Sequence, residues 1–280
     1  MIEIRPMTTG DVSLGMRLKD QAGWNQTPAD WRRFLELEPQ GCFVAELEGL
    51  PVGTTTTCIL GDVGWIAMVL VDEPARHRGV ATRLVQHAIR YLRRQGVPTV
   101  RLDATPLGRP VYERLGFVAE YELDRLAGQA SAAEAPSSPV VAVGREDVDC
   151  LAVLDQRASG TQRRRLLDRL WRENPGNCGK VVRDSAVEGY VMLREGSRAA
   201  FIGPAVATAP AAGCALLDWA VHRCAGRPVF VDIPCDNAEA IGWASSRGLR
   251  AQRRFTRMCL GPPVRERRDQ LWASSGPEKG

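Results

Sequence analysis

The sequence predicts an α/β fold that occurs twice, in tandem, along one chain. Three observations lead to this prediction. An apolar strand over 65–71 runs through a short basic turn into an amphipathic helix. A segment without large apolar side chains lies near the middle of the chain. The order of strands and helices before that segment is partly repeated after it, and each half is long enough to bury its own core.

Composition narrows the class of protein. With 44% hydrophobic and 25% charged residues, the 280-residue chain resembles an ordinary soluble globular protein. The longest uncharged apolar segment, 63–71, is too short to span a bilayer and the first residues form no apolar leader, so we predict a cytoplasmic protein that does not bind membranes. The net charge of +4 suits an anionic cofactor but is too small and dispersed to indicate nucleic-acid binding.

The cysteines and histidines do not form a recognisable metal site. Eight cysteines are scattered without a CxxC pair, and only three histidines accompany them. A chain of this size without a secretory leader is more typical of reduced cysteines that pack as small core residues. We therefore predict no metal and no disulfide framework.

The segment Gly128–Pro139 divides the chain, because its glycine, proline and small residues are typical of a linker. It separates a predicted first domain at 1–127 from a second domain at 140–262. Residues 263–280 begin with prolines and a charged run, and we predict that they form a peripheral C-terminal tail.

The first half begins with a strand at 2–6 and two helices. The Asp11 carboxylate can cap the first helix, and the second begins with Thr27, Pro28 and Asp30 in a box-like start. Strands separated by turns follow at 41–47, 52–60 and 65–71. A helix at about 79–95, a strand at 99–104, a short helix at about 109–115 and a final strand complete this half.

The second half repeats part of this order. Strands are predicted at 187–193 and 199–206, followed by a helix at about 212–224, a strand at 228–233 and a helix at about 237–247. Both halves end with a strand, a helix and a glycine before an apolar residue, Gly116-Phe117 and Gly248-Leu249. This repetition predicts an internal duplication of the fold.

The turn between 71 and 82 predicts a phosphate-binding site. A helix begins just after Gly79, so its first backbone N–H groups and its positive dipole end are available to an anion. The side chains of Arg76 and Arg78 add positive charge. A side chain at Gly79 would stand between the backbone and the anion.

The pattern Arg76-x-x-Gly79-x-Ala81, preceded by a strand and Pro74, resembles the acetyl-CoA signature of the GNAT acetyltransferases. Ala81 stands where a second glycine is frequent in that family. The resemblance implies two GNAT folds, each with a mixed, mostly antiparallel central sheet flanked by helices, and acetyl-CoA as co-substrate. It also implies cofactor contacts in two stretches of backbone, namely Val69, Leu70 and Val71 for the pantetheine and acetyl carbonyl, and Arg76, His77, Arg78, Gly79, Val80, Ala81 and Thr82 for the pyrophosphate.

The resemblance also implies a general acid. Tyr112 lies four residues before Gly116-Phe117, where many GNAT enzymes carry a tyrosine near the CoA sulfur. Alternatively, Tyr112 packs against the sheet with its hydroxyl satisfied. The general base is open among Asp103, Glu46 and Asp62, an ordered water relay, or an amine that is already neutral. Asp103 is preferred because its strand end opens toward the cofactor cleft, although such a carboxylate is more often simply hydrogen-bonded.

Trp24 and Asn25 lie between the first two helices, which border the acceptor pocket in GNAT folds. Both are therefore candidates for binding an organic amine. Trp24 could equally pack the two helices together.

The second half lacks this machinery. Its turn at 206–213 is shorter and has no basic residue, and Ala244 stands where the first half has Tyr112. The whole chain resembles bacterial tandem GNAT proteins of the YitH-like kind, which pair one acetyl-CoA-binding domain with one degenerate domain. This resemblance implies one active site and transfer of an acetyl group to a small-molecule amine by direct attack in a ternary complex. The alternatives are acetylation of a protein lysine or N-terminus, and a non-catalytic acyl-CoA-binding sensor. The chain could be a monomer or a homodimer.

Overall fold

A computed structural model describes residues 1–130 and 139–280. Most of the predicted linker, residues 131–138, lies outside the described residues. The first two linker positions differ from the prediction, because Gly128 and Gln129 end a strand that pairs with a strand of the second half.

The first half has the predicted order of elements. Its bounds are β1 (Ile2–Pro6), α1 (Val12–Gln21), α2 (Pro28–Leu37), β2 (Cys42–Leu47), β3 (Leu50–Leu60), β4 (Val63–Val71), α3 (Val80–Arg94), β5 (Thr99–Ala104), α4 (Arg109–Arg114) and β6 (Val118–Gln129). The Asp30 carboxylate accepts the Thr27 N–H at 2.8 Å, so the box-like start of α2 is confirmed. Asp11 instead accepts from Thr8 and Arg5 ahead of α1, so it does not cap that helix.

The second half follows the same plan more completely than the sequence predicts. Its bounds are β7 (Val140–Ala142), α5 (Val148–Ser159), α6 (Arg164–Glu173), β8 (Cys178–Arg183), β9 (Ala186–Arg194), β10 (Ala200–Ala207), α7 (Pro210–Arg223), β11 (Pro228–Pro234), α8 (Ala238–Ser246), β12 (Arg250–Leu260) and β13 (Leu271–Ala273). The elements β7, α5, α6, β8, β12 and β13 were not predicted individually. The first four supply the opening strand, the two helices and the start of the meander that the first half also has.

The sheet confirms the predicted fold class but joins the two halves. The strand order is β1-β2-β3-β4-β5-β12-β6-β11-β10-β9-β8-β7, with β13 beside β10. Pairing is antiparallel except for β4 with β5 and β10 with β11. The final strand of each half has crossed into the other, since β12 pairs with β5 and β6 pairs with β11. The two predicted sheets are therefore one continuous sheet.

Two reciprocal ion pairs accompany this exchange of strands. On β12, Arg257 lies opposite Asp103 of β5 and binds both carboxylate oxygens, at 2.8 and 2.9 Å. On β6, Arg125 lies opposite Asp232 of β11 and binds it in the same way, with both distances 2.8 Å. All four side chains are buried. Because a buried charge without a partner is strongly destabilising, each pair favours the exchanged strand arrangement.

The hydrophobic core is shared as well. On one side of the sheet, α3 packs Leu84, Val85 and Leu92 into a cluster of mainly first-half side chains, which Met258 of β12 joins. On the other side, a single buried cluster combines residues of both halves, such as Trp31 of α2 and Leu167 of α6. The two halves therefore fold around common apolar contacts.

The predicted peripheral tail is wrong for its last ten residues, which are buried apart from the partly buried Pro277. Trp272 is 1% exposed, and Ser275 and Lys279 are 0% exposed. β10 pairs with β11 only over Ala200–Ile202, and β13 then pairs with β10 at Ala205 and Val206. This part of the tail, β13, is held inside because it fills the gap that opens between β10 and β11.

Candidate active site

The site begins with a gap in the first half of the sheet. β4 and β5 are paired in parallel only over Val63–Trp65 and Thr99–Arg101, after which they separate. A cleft follows this separation and is lined by residues of both strands, among them Met68, Val69 and Asp103. Because β5 has moved away, the backbone groups on this edge of β4 are open to an extended ligand.

A β-bulge in β4 shapes the edge of the cleft. The register shifts between the pairs Thr54–Leu70 and Thr56–Ala67, and Met68 has a left-handed φ of 50°. The buried hydroxyl of Thr54 donates to the Met68 carbonyl at 2.9 Å, and that of Thr55 donates to the Ala67 carbonyl at 3.2 Å. These bonds from β3 hold the bulge of β4 in place. They therefore also fix the course of the backbone at Val69–Val71, which follows the bulge.

The turn after β4 has the geometry of an anion site. His77 and Gly79 have left-handed φ values of 61° and 80°, and α3 begins immediately afterwards. The Arg83 N–H donates to the Gly79 carbonyl at 3.1 Å as the first bond of the helix. The preceding amides, from Val80 to Thr82, are thus helix N-terminal donors with no helical acceptor. An added Cβ at Gly79 would meet no atom within 4 Å, so this surface is open to a ligand.

Two arginines flank the turn. Arg76 donates to the Val71 carbonyl at 3.2 Å and lies 3.3 Å from the Glu73 carboxylate, while Arg78 lies 3.3 Å from Glu48. These ion pairs are solvent-exposed, and such pairs contribute little to stability. Both guanidinium groups can therefore exchange a surface carboxylate for a ligand phosphate at low cost.

Tyr112 of α4 lines the cleft between β4 and β5. Its ring packs edge-on against Phe117, with 6.0 Å between centroids. Within the described ranges its hydroxyl has no hydrogen-bond partner, unlike the satisfied hydroxyl of the alternative interpretation. Burial raises the pKa of Tyr112 above its ordinary value of 10.0. The hydroxyl is thus protonated at neutral pH and able to donate.

Asp103 also lines the cleft, but it is not a free base. Both carboxylate oxygens accept from Arg257. Burial raises the pKa of Asp103, and the Arg257 guanidinium opposes that rise. The same kind of pair recurs as Asp232 with Arg125, although Ala244 stands in the second half where the first has Tyr112. This repetition favours a positioning role for Asp103 over the predicted role of general base.

The other predicted base candidates are not at the cleft. Glu46 accepts from Arg5 at 2.7 Å on the first strand pair of the sheet. Asp62 is exposed in the turn that precedes β4, where its carbonyl accepts from Thr99. Neither residue is among those that line the cleft.

The adjacent residues Trp24 and Asn25 have different environments in the structure. Trp24 lines the cleft, which is consistent with the acceptor role. Asn25 joins the two halves instead: its side-chain oxygen accepts the Arg198 and Ala199 amides at 2.9 and 3.0 Å, and its amide donates to the Ala199 carbonyl at 2.9 Å. With its polar atoms occupied in this way, Asn25 is not presented to a substrate.

Other cleft residues were not singled out from the sequence. Gln26 follows Asn25, whereas Arg253 and Phe255 come from β12 and Glu278 from the buried tail. For Gln26, the only indication in the sequence is its position two residues after Trp24. The other three lie far away in sequence and reach the first-half cleft through the exchanged strand and the tail.

The equivalent gap in the second half is closed. β13 lies between the diverging ends of β10 and β11, and the Ser274 N–H donates to the Asp232 carbonyl at 2.8 Å. Trp272 packs so closely against α7 that a Cβ on Gly213 would come within 2.0 Å of it. The tail therefore occupies the place that a cofactor would need.

Within the described part of the chain, no helix is long and apolar enough to cross a membrane. In the same residues, no group of three or more His, Cys, Asp or Glu side chains is placed to hold a metal ion.

Comparison with known proteins agrees with the duplicated fold. Residues 15–117 match the model described as "Acetyltransferase (GNAT) family", and residues 151–273 match "Acetyltransferase (GNAT) domain". A curated relative, the N-alpha-acetyltransferase MAK3 of Arabidopsis thaliana, is 40% identical over 96 residues, which cover 31% of this chain and 50% of the relative. The chain thus spans about half the length of that relative.

Solved structures extend the likeness to both halves. A candidate acetyltransferase from Pyrococcus horikoshii is 25% identical with a TM-score of 0.87, and the match covers 100% of this chain and 96% of the other. A tandem GNAT protein from the clavulanic acid biosynthesis pathway is 17% identical with a TM-score of 0.66, covering 94% and 100% of the two chains, and shows the shared fold. The chain therefore belongs to the GNAT acetyltransferases and carries two domains of that family in tandem.

Proposed function

We propose that this chain transfers an acetyl group from acetyl-CoA to the amine of a small molecule in a single active site in its first half. One observation carries the proposal: β4 borders a cleft lined by Tyr112 and then continues through the basic turn into the N-terminus of α3, and the Tyr112 hydroxyl has no hydrogen-bond partner in the described residues. That combination supplies an anion site, backbone donors and a proton donor.

In this proposal, the backbone positions the acetyl donor. The amides of Val80, Ala81 and Thr82, with the basic turn Arg76–Arg78, hold the pyrophosphate. The edge of Val69–Val71 aligns the pantetheine as an added strand and stabilises the charge that develops on the thioester oxygen.

The reaction needs a balanced transfer of protons. The amine nitrogen forms a bond to the thioester carbon while the carbon–sulfur bond breaks, and the amine gives up one proton to solvent. Tyr112, which is protonated at neutral pH, gives its proton to the departing thiolate and regains one from solvent after the products leave. Asp103 is assigned to hold β12 against β5.

The enclosure of the cleft supports a small acceptor. Arg253, Phe255 and Glu278 come from the second half and the tail, and they line the same cleft as Trp24. A protein substrate would need an open groove at this place. Acetylation of a protein N-terminus, as in the name of the MAK3 relative, therefore ranks second, and a sensor ranks lower because it does not need a free tyrosine hydroxyl.

The test is a calorimetric titration with acetyl-CoA followed by measurement of thiol release with a panel of amines. One bound acetyl-CoA per chain together with amine-dependent thiol release is expected. Binding without thiol release from any amine would overturn the enzymatic proposal and favour the sensor, and two bound molecules would overturn the single site. The cytoplasmic, bacterial and monomer-or-homodimer assignments stay predictions.

A further inference from the structure

The cleft contains one charged side chain that has no partner. Arg253 lies half-buried on β12, and among residues 1–130 and 139–280 it makes no hydrogen bond or ion pair. It faces Arg125 in the strand register. Burial, Arg125 and Arg198 lower the pKa of Arg253 below its ordinary value, and the attraction to Asp232 opposes this only in part. An arginine that is partly removed from water beside another arginine is unfavourable unless an anion joins it.

The other charged residues of the cleft are already neutralised. Arg125 binds both oxygens of Asp232, and Asp103 is bound by Arg257. Glu278 contacts Arg194 and Lys279, each at 2.6 Å. The cleft therefore presents the unbalanced positive charge of Arg253.

A second polar group in the cleft needs a donor. Gln26 is 5% exposed, and its Oε1 has no hydrogen-bond partner in the described residues. Its Nε2 lies 3.5 Å from the Glu278 carboxylate, which fixes the orientation of the amide, since a flip would bring two oxygens together. Gln26 thus offers a buried acceptor to an N–H or O–H group of a ligand.

We propose that the acceptor is an amine that also carries an anionic group, a carboxylate or a phosphate, with Arg253 binding the anion and Gln26 Oε1 accepting a hydrogen bond from the same molecule. This inference rests on the proposed function and specifies its substrate class. Arg253 is a specificity-determining residue here, because it binds a part of the acceptor that does not react. Its guanidinium can bind either anion through two N–H donors.

Matched pairs of acceptors test this proposal. Thiol release from acetyl-CoA is measured with γ-aminobutyrate against n-butylamine for the carboxylate, and with O-phosphoethanolamine against ethanolamine for the phosphate. Wild type and Arg253→Gln are compared in each pair, so that differences in intrinsic amine reactivity cancel. We expect Arg253→Gln to lower kcat/KM for one anionic acceptor by at least about tenfold, mainly through KM, and to leave its neutral partner unchanged.

Two controls separate specificity from damage to the fold. Arg250→Gln removes the same charge from an exposed position of β12 and should leave both acceptors unaffected. Acetyl-CoA affinity, measured by calorimetry, should be equal in wild type and Arg253→Gln, while Arg253→Lys should recover part of the preference.

The outcomes distinguish this inference from the proposed function. Thiol release with the neutral amines but no selective loss for an anionic one in Arg253→Gln overturns the inference and leaves the acetyltransferase proposal intact. No thiol release with any amine, despite acetyl-CoA binding, overturns the proposed function and the inference with it. A selective loss with only the carboxylate or only the phosphate pair supports the inference and identifies the anion.

Discussion

At the residue scale, Tyr112 joins two properties that rarely occur together in a cleft. It is packed against Phe117, and its hydroxyl has no acceptor or donor in the described residues. Because burial raises its pKa, the proton remains bound under conditions in which a thiolate leaves. The residue can therefore supply a proton without first breaking a hydrogen bond.

Tyr112→Phe should lower kcat by about 100-fold or more, because general acid–base contributions are commonly of that size. The affinity for acetyl-CoA should change little, since the hydroxyl binds no cofactor phosphate. Steady-state kinetics and calorimetry give the two values. Tyr91→Phe is the matched control: its hydroxyl donates to Glu38 at 2.6 Å and lies outside the cleft residues, so its kcat should stay near that of wild type. An unchanged rate in Tyr112→Phe would remove Tyr112 from the reaction.

At the element scale, the two ends of helix α3 allow a matched test of the proposed phosphate site, because a glycine lies at each end. Gly79 precedes it and Gly96 follows it, and the two glycines have nearly equal left-handed φ values of 80° and 79°. A Cβ would meet nothing within 4 Å at either position. Both positions therefore require a left-handed backbone conformation, which favours glycine. They differ in electrostatics, because the N-terminal end of a helix attracts an anion and the C-terminal end does not.

Gly79→Asp should abolish measurable acetyl-CoA binding, because it places a carboxylate at the proposed pyrophosphate site. Gly96→Asp should bind acetyl-CoA like wild type while it carries a similar conformational strain of about 1–2 kcal/mol. Calorimetric titration of both variants is the measurement. Equal binding by the two would show that the phosphate site lies elsewhere.

The exchanged strands permit a second comparison at this scale. Asp103→Asn and Asp232→Asn each break one of the reciprocal pairs, and each should lower the free energy of unfolding by about 3 kcal/mol, measured by urea denaturation. If Asp103 holds β12 in place, both variants keep kcat within about tenfold of wild type. A loss of turnover in Asp103→Asn alone, with restored activity at higher pH, would instead identify a general base.

At the scale of the whole molecule, the sequence predicts those features that depend only on residues close together along the chain. The strand, basic turn and helix around Gly79 and the helix that carries Tyr112 follow from local periodicity and turn chemistry. The exchange of β6 and β12 could not be predicted, because the order of strands along the chain is the same whether each pairs within its own half or across. For the same reason, Arg253 could not be assigned to the first-half cleft. In the tail, only Leu271 and Trp272 indicate burial, and the charged and small residues around them gave no sign that Glu278 reaches the cleft.

Because the tail buries the Glu278 carboxylate, the free energy of unfolding should depend on pH in the acidic range. Burial opposes ionisation of Glu278, but Arg194 and Lys279 lower its pKa from 4.5 to about 2. A carboxyl with a depressed folded-state pKa contributes stability above its unfolded pKa and loses it as the pH falls through the folded value. The unfolding free energy of wild type should therefore fall between pH 4.5 and 2, and less steeply in Glu278→Gln. Identical slopes in urea titrations across this range would contradict the prediction.

Because β13 occupies the gap between β10 and β11, a free ligand can bind there only by competing with a segment of the same chain. A strand tethered to its own site competes at an effective concentration that reaches the millimolar range for short linkers. At equal intrinsic affinity, free acyl-CoA at micromolar levels would therefore lose the competition with the tethered strand. A gap that is always filled from within gains nothing from basic residues, which accounts for the plain apolar turn before α7.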